Sequence, residues 1–255
     1  MADTELSFIV PDWPAPAGVY ALSTTRRGGY SEGRWQGFNL ARHVGDDAAA
    51  VEANRTRLQN RLPAAPEIHW LRQVHGTQVL HRVDNSVREA TADACWTTCQ
   101  GVPCAVLTAD CLPVLLCSVG GERVAAVHAG WRGLAAGVLE TTIGAMGGDG
   151  GMLMAWLGPA IGRSAFEVGP EVRAAFLGGA PAGGREDVEA CFISVAGRAG
   201  RYFADLHALA RLRLQHMGLS RIYGDDRCTY SNAKDFFSYR RDGQTGRMAT
   251  LIMRQ

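Results

Sequence analysis

Apolar residues in this chain come in short blocks. Residues 102–108, 113–118, 123–128 and 152–157 are nearly unbroken apolar stretches bounded by Pro, Gly, Asp or Ser, the pattern of strands covered on both faces. Residues 18–23, 69–71, 77–83, 221–223 and 247–253 are more mixed and predict further strands. Three stretches instead carry apolar positions at helical spacing. Residues 46–62 open on polar starters, and residues 134–146 follow a glycine-tryptophan turn. Residues 205–217 place Leu206, Leu209, Ala210, Leu212 and Leu214 on or near one face and stop at Gly218. Strands and helices do not alternate regularly, which argues against a doubly wound sheet. The expectation is an α+β fold: one domain over residues 1–255, with mixed β-sheets and flanking helices. Glycine-rich connectors at 147–151 and 178–184 punctuate the pattern, and no fixed-period repeat accompanies it.

Three of the strand-like blocks end on reactive side chains. TADCLPVLL, residues 108–116, sets Asp110 and Cys111 inside an apolar run; RQVHGTQVL (72–80) carries His75, and VAAVHAGWRG (124–133) carries His128. Each sits where a strand gives way to glycine, proline or a turn. Two imidazoles and a thiolate suit zinc, and three protein ligands leave a fourth tetrahedral position open, as in catalytic sites. The long spacings match no compact zinc motif, so a core cysteine and two structural histidines remain the bland alternative. The same atoms also describe a Cys111 nucleophile with His75 or His128 as base, or a copper centre. Asp110 beside an apolar strand costs several kcal/mol unless it is paired. It is therefore expected to orient a ligating histidine or to move a proton.

Charge narrows the partners. The net charge is +1, so no global field points to nucleic acid or to an anionic membrane. Lys234 is the only lysine and lacks the context of a phosphate-binding loop, which argues against Schiff-base or Walker-type chemistry. The acidic N-terminus, broken by Pro11 and Pro14, does not read as an export signal, and no stretch reaches eighteen apolar residues. The odd count of seven cysteines suits a reducing cytoplasm.

The runs QVHG, TADCLPVLL, VHAGWRG, WLGPAIG, AFEVGPEV, DRCTYS and FFSYRRDGQTGRMA together resemble the YfiH family. That family is also called the laccase-domain, multicopper polyphenol oxidoreductase or peptidoglycan editing factor family. The resemblance extends from TTRRGG, at residue 24, to the C-terminus. It implies a single α+β domain with zinc, or copper, held by His75, Cys111 and His128, residues that would also be catalytic together with Asp110. It further implies phosphorolysis of adenosine, inosine, guanosine or methylthioadenosine, and deamination of adenosine. Older descriptions of the family imply copper-dependent polyphenol oxidation, and its bacterial branch is linked to cell-wall precursor editing. DACWTT departs from the family pattern, with Cys95 and Trp96 where aliphatic residues are expected.

Phosphorolysis requires a phosphate held near the anomeric carbon, hence cationic donors in the cleft. Arg26, Arg42, His43, Gln73, Arg132 and Arg241 are the expected contacts to a purine nucleoside and phosphate, with Arg27 and Arg240 beside them. Gln73 lies two residues before His75 and shares its face if the strand persists. Other polar residues take bland readings: Asp205 as a helix N-cap, His207 and His216 as packing or surface residues, Cys228 as packing, and Cys95 with Cys99 as an isolated CxxxC. Trp131, three residues from His128, is the one tryptophan expected to approach the site. A zinc-dependent purine nucleoside enzyme leads this reading. A Cys-nucleophile hydrolase of peptidoglycan precursors, a copper polyphenol oxidase and a non-enzymatic binding module are the alternatives.

Overall fold

The computed structural model describes residues 5–64, 66–84, 90–181, 183–224 and 226–255. Residues 1–4 of the acidic N-terminus and Ala182 of the 178–184 connector lie outside them. Two sheets stacked face to face form the centre. The larger has six strands in the order Arg221–Gly224, Leu153–Leu157, Leu112–Ser118, Val124–Ala129, Ala94–Thr97, Val79–His81. Its outermost pairs are parallel and its inner pairs antiparallel. The smaller runs Phe8–Ile9, Val19–Thr24, Met248–Arg254, Cys104–Thr108, antiparallel throughout.

Side-chain alternation along the strands explains why the apolar blocks read as unbroken. Val114, Leu116, Val127 and Ala155 point into a core closed by the helices Val138–Ala145, Pro170–Gly178 and Leu206–His216. Their neighbours Leu115, Cys117, Ala126 and Trp156 point the other way, onto Cys104, Val106, Met248 and Ile252 of the smaller sheet. The far face of that sheet packs Ala105, Leu107 and Leu251 against Leu58 of the helix Ala48–Gln59. The result is helix, sheet, sheet, helix. Every residue of Cys104–Thr108, Leu112–Ser118 and Val124–Ala129 is buried.

The expected helices form with local adjustments. Asp47 caps Ala48–Gln59 by accepting from the amides of Ala49 and Ala50, and Asp205 caps Leu206–His216 through Ala208. The predicted helix 134–146 is two helices, Trp131–Ala136 and Val138–Ala145, because Gly137 turns left-handed (φ 97°) between them. A small sheet of Glu167–Val168, Tyr202–Ala204 and Phe192–Ser194 lay below the pattern's resolution, as did the short helix Tyr239–Asp242.

Two features place the site. Cys104–Thr108 and Leu112–Ser118 belong to different sheets, so residues 109–111 carry the chain from one layer to the next. In the larger sheet Leu112 pairs with Ala129 and Ala94 with Val127, which gathers Cys111, His128 and Asp93 at one end of three adjacent strands.

Candidate metal centre and its cavity

Nε2 of His75 lies 3.8 Å from Sγ of Cys111, and one ligand atom from each of His75, Cys111 and His128 falls within 4.8 Å of the others. The imidazole rings meet edge to face, with centroids 4.8 Å apart. Among the described residues no fourth His, Cys, Asp or Glu joins this group. Two borderline nitrogens and a thiol around one point, with a side left open, fit a three-ligand metal site.

Asp93 organises it. This fully buried carboxylate accepts a 2.8 Å hydrogen bond from Nδ1–H of His128, which leaves Nε2 facing the site. It also accepts from three successive amides, Val74 at 3.2 Å, His75 at 2.8 Å and Gly76 at 2.7 Å. These bonds hold the turn in which His75 takes φ 60°, a conformation that disfavours a side chain. Burial pushes the Asp93 carboxyl up, but His128 and the amides outweigh it and keep the group below its usual range. Asp93 is not among the residues that the sequence patterns single out. Its signal was the argument applied to Asp110, a carboxylate next to an apolar strand.

Asp110 itself touches neither histidine. Its carboxylate accepts from Thr229 Oγ1 (2.6 Å), Ser238 Oγ (3.0 Å) and the Arg240 amide (2.6 Å), while its carbonyl accepts from Ile161 N–H (2.9 Å). With φ at 93°, this residue fixes the backbone that presents Cys111. The histidine-orienting role expected of it belongs to Asp93.

Burial raises the Cys111 thiol, yet the charges and hydrogen bonds of His128 and His75 prevail and bring it down to about 6. His128, against the pull of burial, is pushed up to about 9 by Cys111 and Asp93. Both directions favour a thiolate beside an imidazolium at neutral pH in metal-stripped protein. Its iodoacetamide reaction at Cys111 is expected to rise with pH through a midpoint near 6, well below the ~8.5 of an ordinary thiol. Peptide mapping of the alkylated chain over a pH series checks this; a midpoint above 8 would refute it.

Gly130 supplies space. Its backbone is ordinary (φ −65°, ψ 156°), but a Cβ there would sit 2.9 Å from Cδ2 of His75 and 3.0 Å from Sγ of Cys111. Gly130→Ala is expected to weaken metal binding about tenfold by displacing two ligands, at the ~1–3 kcal/mol of an overpacked site. Competition titration against a chelator reads this directly, and unchanged affinity would sink the packing argument.

A cavity of about 410 Å³ opens on the centre, lined by Trp131, Arg132, Phe166, Tyr239 and Arg240 as well as His75 and Cys111. The Arg132 guanidinium lies 4.5 Å over the Trp131 ring, and Arg240 lies 5.3 Å over Phe166 while donating to the Glu167 carbonyl. Of the six residues expected to contact substrate, Arg132 alone lines this cavity. Arg26 is spent on the carbonyls of Ala233 and Gln36, over Phe237. Arg241 is spent on those of Thr229, Tyr230 and Phe236. Gln73 exchanges two hydrogen bonds with the Leu107 backbone. Arg42 and His43 line a different cavity, with Arg42 paired to Glu52.

Comparison with known proteins gives a consistent picture. Residues 20–255 match the family described as multi-copper polyphenol oxidoreductase laccase. A Pseudomonas aeruginosa protein named purine nucleoside phosphorylase is 49% identical over 98% of this chain and 99% of its own length. Escherichia coli purine nucleoside phosphorylase YfiH is likewise 49% identical, over 96% and 97%. The crystal structure of a Neisseria meningitidis protein superimposes with a TM-score of 0.90 at 46% identity, covering 97% and 99% of the two chains. That of YlmD from Geobacillus stearothermophilus gives 0.88 at 31% identity over the whole of both.

Proposed function

The chain belongs to the YfiH family of multi-copper polyphenol oxidoreductase laccase proteins, and from that premise we propose that it is a metal-dependent purine nucleoside phosphorylase. The observation that carries this reading is a three-ligand centre opening on a cavity with aromatic faces and cationic edges, joined to full-length relatives at 49% identity that bear that name. His75, Cys111 and His128 would hold the ion, which when bound supplies a fixed positive charge beside the bound substrate.

The remaining roles fall to the chain's own side chains. Phosphorolysis breaks the bond from ribose C1′ to the purine and forms one from C1′ to a phosphate oxygen, giving free purine and ribose 1-phosphate. Arg132, stacked on Trp131 and without a carboxylate partner among the described residues, is the cation proposed to seat the phosphate. Trp131 and Phe166 offer flat apolar faces on which a purine would stack. Asp93 holds the proton on Nδ1 of His128 and so fixes the tautomer of that ring.

Zinc is the ion we favour. A multicopper oxidase needs imidazoles for several coppers, whereas among the described residues His75, Cys111 and His128 form the one group placed to share an ion. His81 stacks on Trp96, and His207 donates to the Gly158 carbonyl. Deamination of adenosine is a second reading that the open three-ligand set favours, since that arrangement also serves hydrolytic zinc enzymes. The activated thiol of Cys111, flanked by two histidines, keeps a Cys-nucleophile hydrolase of cell-wall precursors in contention. Seven free cysteines suit a cytoplasmic setting, and no described helix is long and apolar enough to cross a membrane.

Chromatography of products from adenosine, with and without phosphate, tests the assignment. Adenine that requires phosphate, is lost with Cys111→Ala, and shows a raised KM for phosphate with Arg132→Ala is the expected result. Inosine in either buffer would establish deamination. No product from any purine nucleoside with zinc-loaded protein would overturn the reading. Activity on peptidoglycan precursors that survives exhaustive chelation and falls on alkylation of Cys111 would put the hydrolase in its place.

A further inference from the structure

The largest cavity described, about 950 Å³, shares the 71–76 segment with the metal cavity but none of its lining residues. The helix Ala48–Gln59 gives it one wall, presenting Glu52, Arg55, Thr56 and Gln59 at the i, i+3, i+4, i+7 spacing of a single face. Arg42, His43, Trp70 and Arg72 line the rest, together with Gln73. Its two glutamates are Glu52, paired with Arg42, and the exposed Glu67, whose carboxylate lies 3.5 Å from Nε2 of His69. Neither Arg55 nor Arg72 forms an ion pair with a carboxylate among the described residues, although Glu52 acts on Arg55 from nearby.

Arg55 is a held cation. Its Nε donates to the Leu40 carbonyl at 2.8 Å, and its guanidinium lies 4.7 Å from the centroid of the Trp70 ring, leaving its Nη nitrogens for a ligand. Burial, with Arg42 nearby, lowers Arg55 to about 10 against the opposing pull of Glu52. His43 is held below its ordinary value by burial and by Arg247 and Arg55, so it stays neutral at pH 7. Arg55 is partly buried with Arg42 beside it and one carboxylate, Glu52, between the two, and a bound anion would offset the remaining cost of that placement.

We infer that this cavity is a second ligand site, distinct from the metal centre, that takes a phosphate-bearing anion through Arg55, Arg72 and Arg42 with Trp70 as an apolar platform. A rigid guanidinium fork matches phosphate oxygens. The volume, more than twice that of the metal cavity, admits either a free phosphate ion or a phosphate ester as large as a nucleoside monophosphate. The inference does not depend on the nucleoside reading of the metal site.

Calorimetric titration with inorganic phosphate and, separately, with adenosine monophosphate tests it. An Arg132→Ala background removes the cation proposed for the co-substrate. Binding is expected to persist when Cys111→Ala is added and to weaken at least tenfold with Arg55→Gln. Arg42→Gln, a change at an exposed ion pair, is expected to weaken it as well and decides the matter should Arg55→Gln fail to fold. Phosphate binding as tightly as the ester identifies the free ion as ligand; a tighter ester identifies a nucleotide-like one. Binding of neither, or binding that Cys111→Ala abolishes while both arginine variants retain it, would overturn the site. The nucleoside reading is judged separately, by product formation.

Discussion

Cys111→Ala protein is expected to purify folded but without its metal, and to lose the proposed phosphorolysis by at least ~1000-fold. That figure is set against the ~10–100-fold typical of losing a group that merely orients a ligand. Cys111 is one of the three proposed donors, and with it gone two imidazoles would keep only part of the affinity. The fold should tolerate the change. The side chain is partly exposed at a strand end, and the packed residues begin at Leu112, so little apolar burial is lost. Metal content by mass spectrometry, a melting curve and product analysis on one preparation check all three parts. A variant that keeps its metal, or more than a tenth of the activity, would show that Cys111 is not a ligand.

Asp93→Asn should act through both stability and metal. The carboxylate serves four donors at once, three of them successive amides. An amide side chain accepts through one oxygen and turns an N–H₂ toward groups that themselves donate. Metal affinity is expected to fall ~10–100-fold as His128 loses its fixed tautomer. Stability is expected to fall by about 2 kcal/mol, or roughly 4–8 °C in melting temperature for a chain of this size. Asp110→Asn is the control. Its bonds go to Thr229, Ser238 and the Arg240 amide, so it should lower the melting temperature while leaving metal content intact. Equal metal loss in both variants would mean that Asp93 is only a structural anchor.

The parts of the fold visible in the sequence were those with a local cause. The central strands read as unbroken apolar blocks because layers cover them on both faces, and the helix cap at Asp205 follows from a side chain that reaches the amide three residues on. The triad His75, Cys111 and His128 was nameable from residue type and position at strand ends. Asp93 was not, because its partner is set by the antiparallel register that lays residue 94 beside residue 127. Arginines proved least legible. Their long side chains end several ångströms from the backbone, so Arg26 and Arg241 went to carbonyls of other loops, and Arg42 and His43 went to another cavity. Gly137 cut one predicted helix in two because periodicity is blind to a left-handed residue that preserves the run of apolar positions on either side.

The three residues that carry the chain between the two sheets include Cys111. One proposed donor of the centre thus sits on the step between layers, next to Leu112, whose pairing with Ala129 ties it to the strand that carries His128. Repacking between the two sheets would reach the thiol through this three-residue step. That step joins the proposed centre to the interlayer core around Trp156 and Phe236. Ion affinity should therefore register repacking there, in residues that contribute no atom to the site.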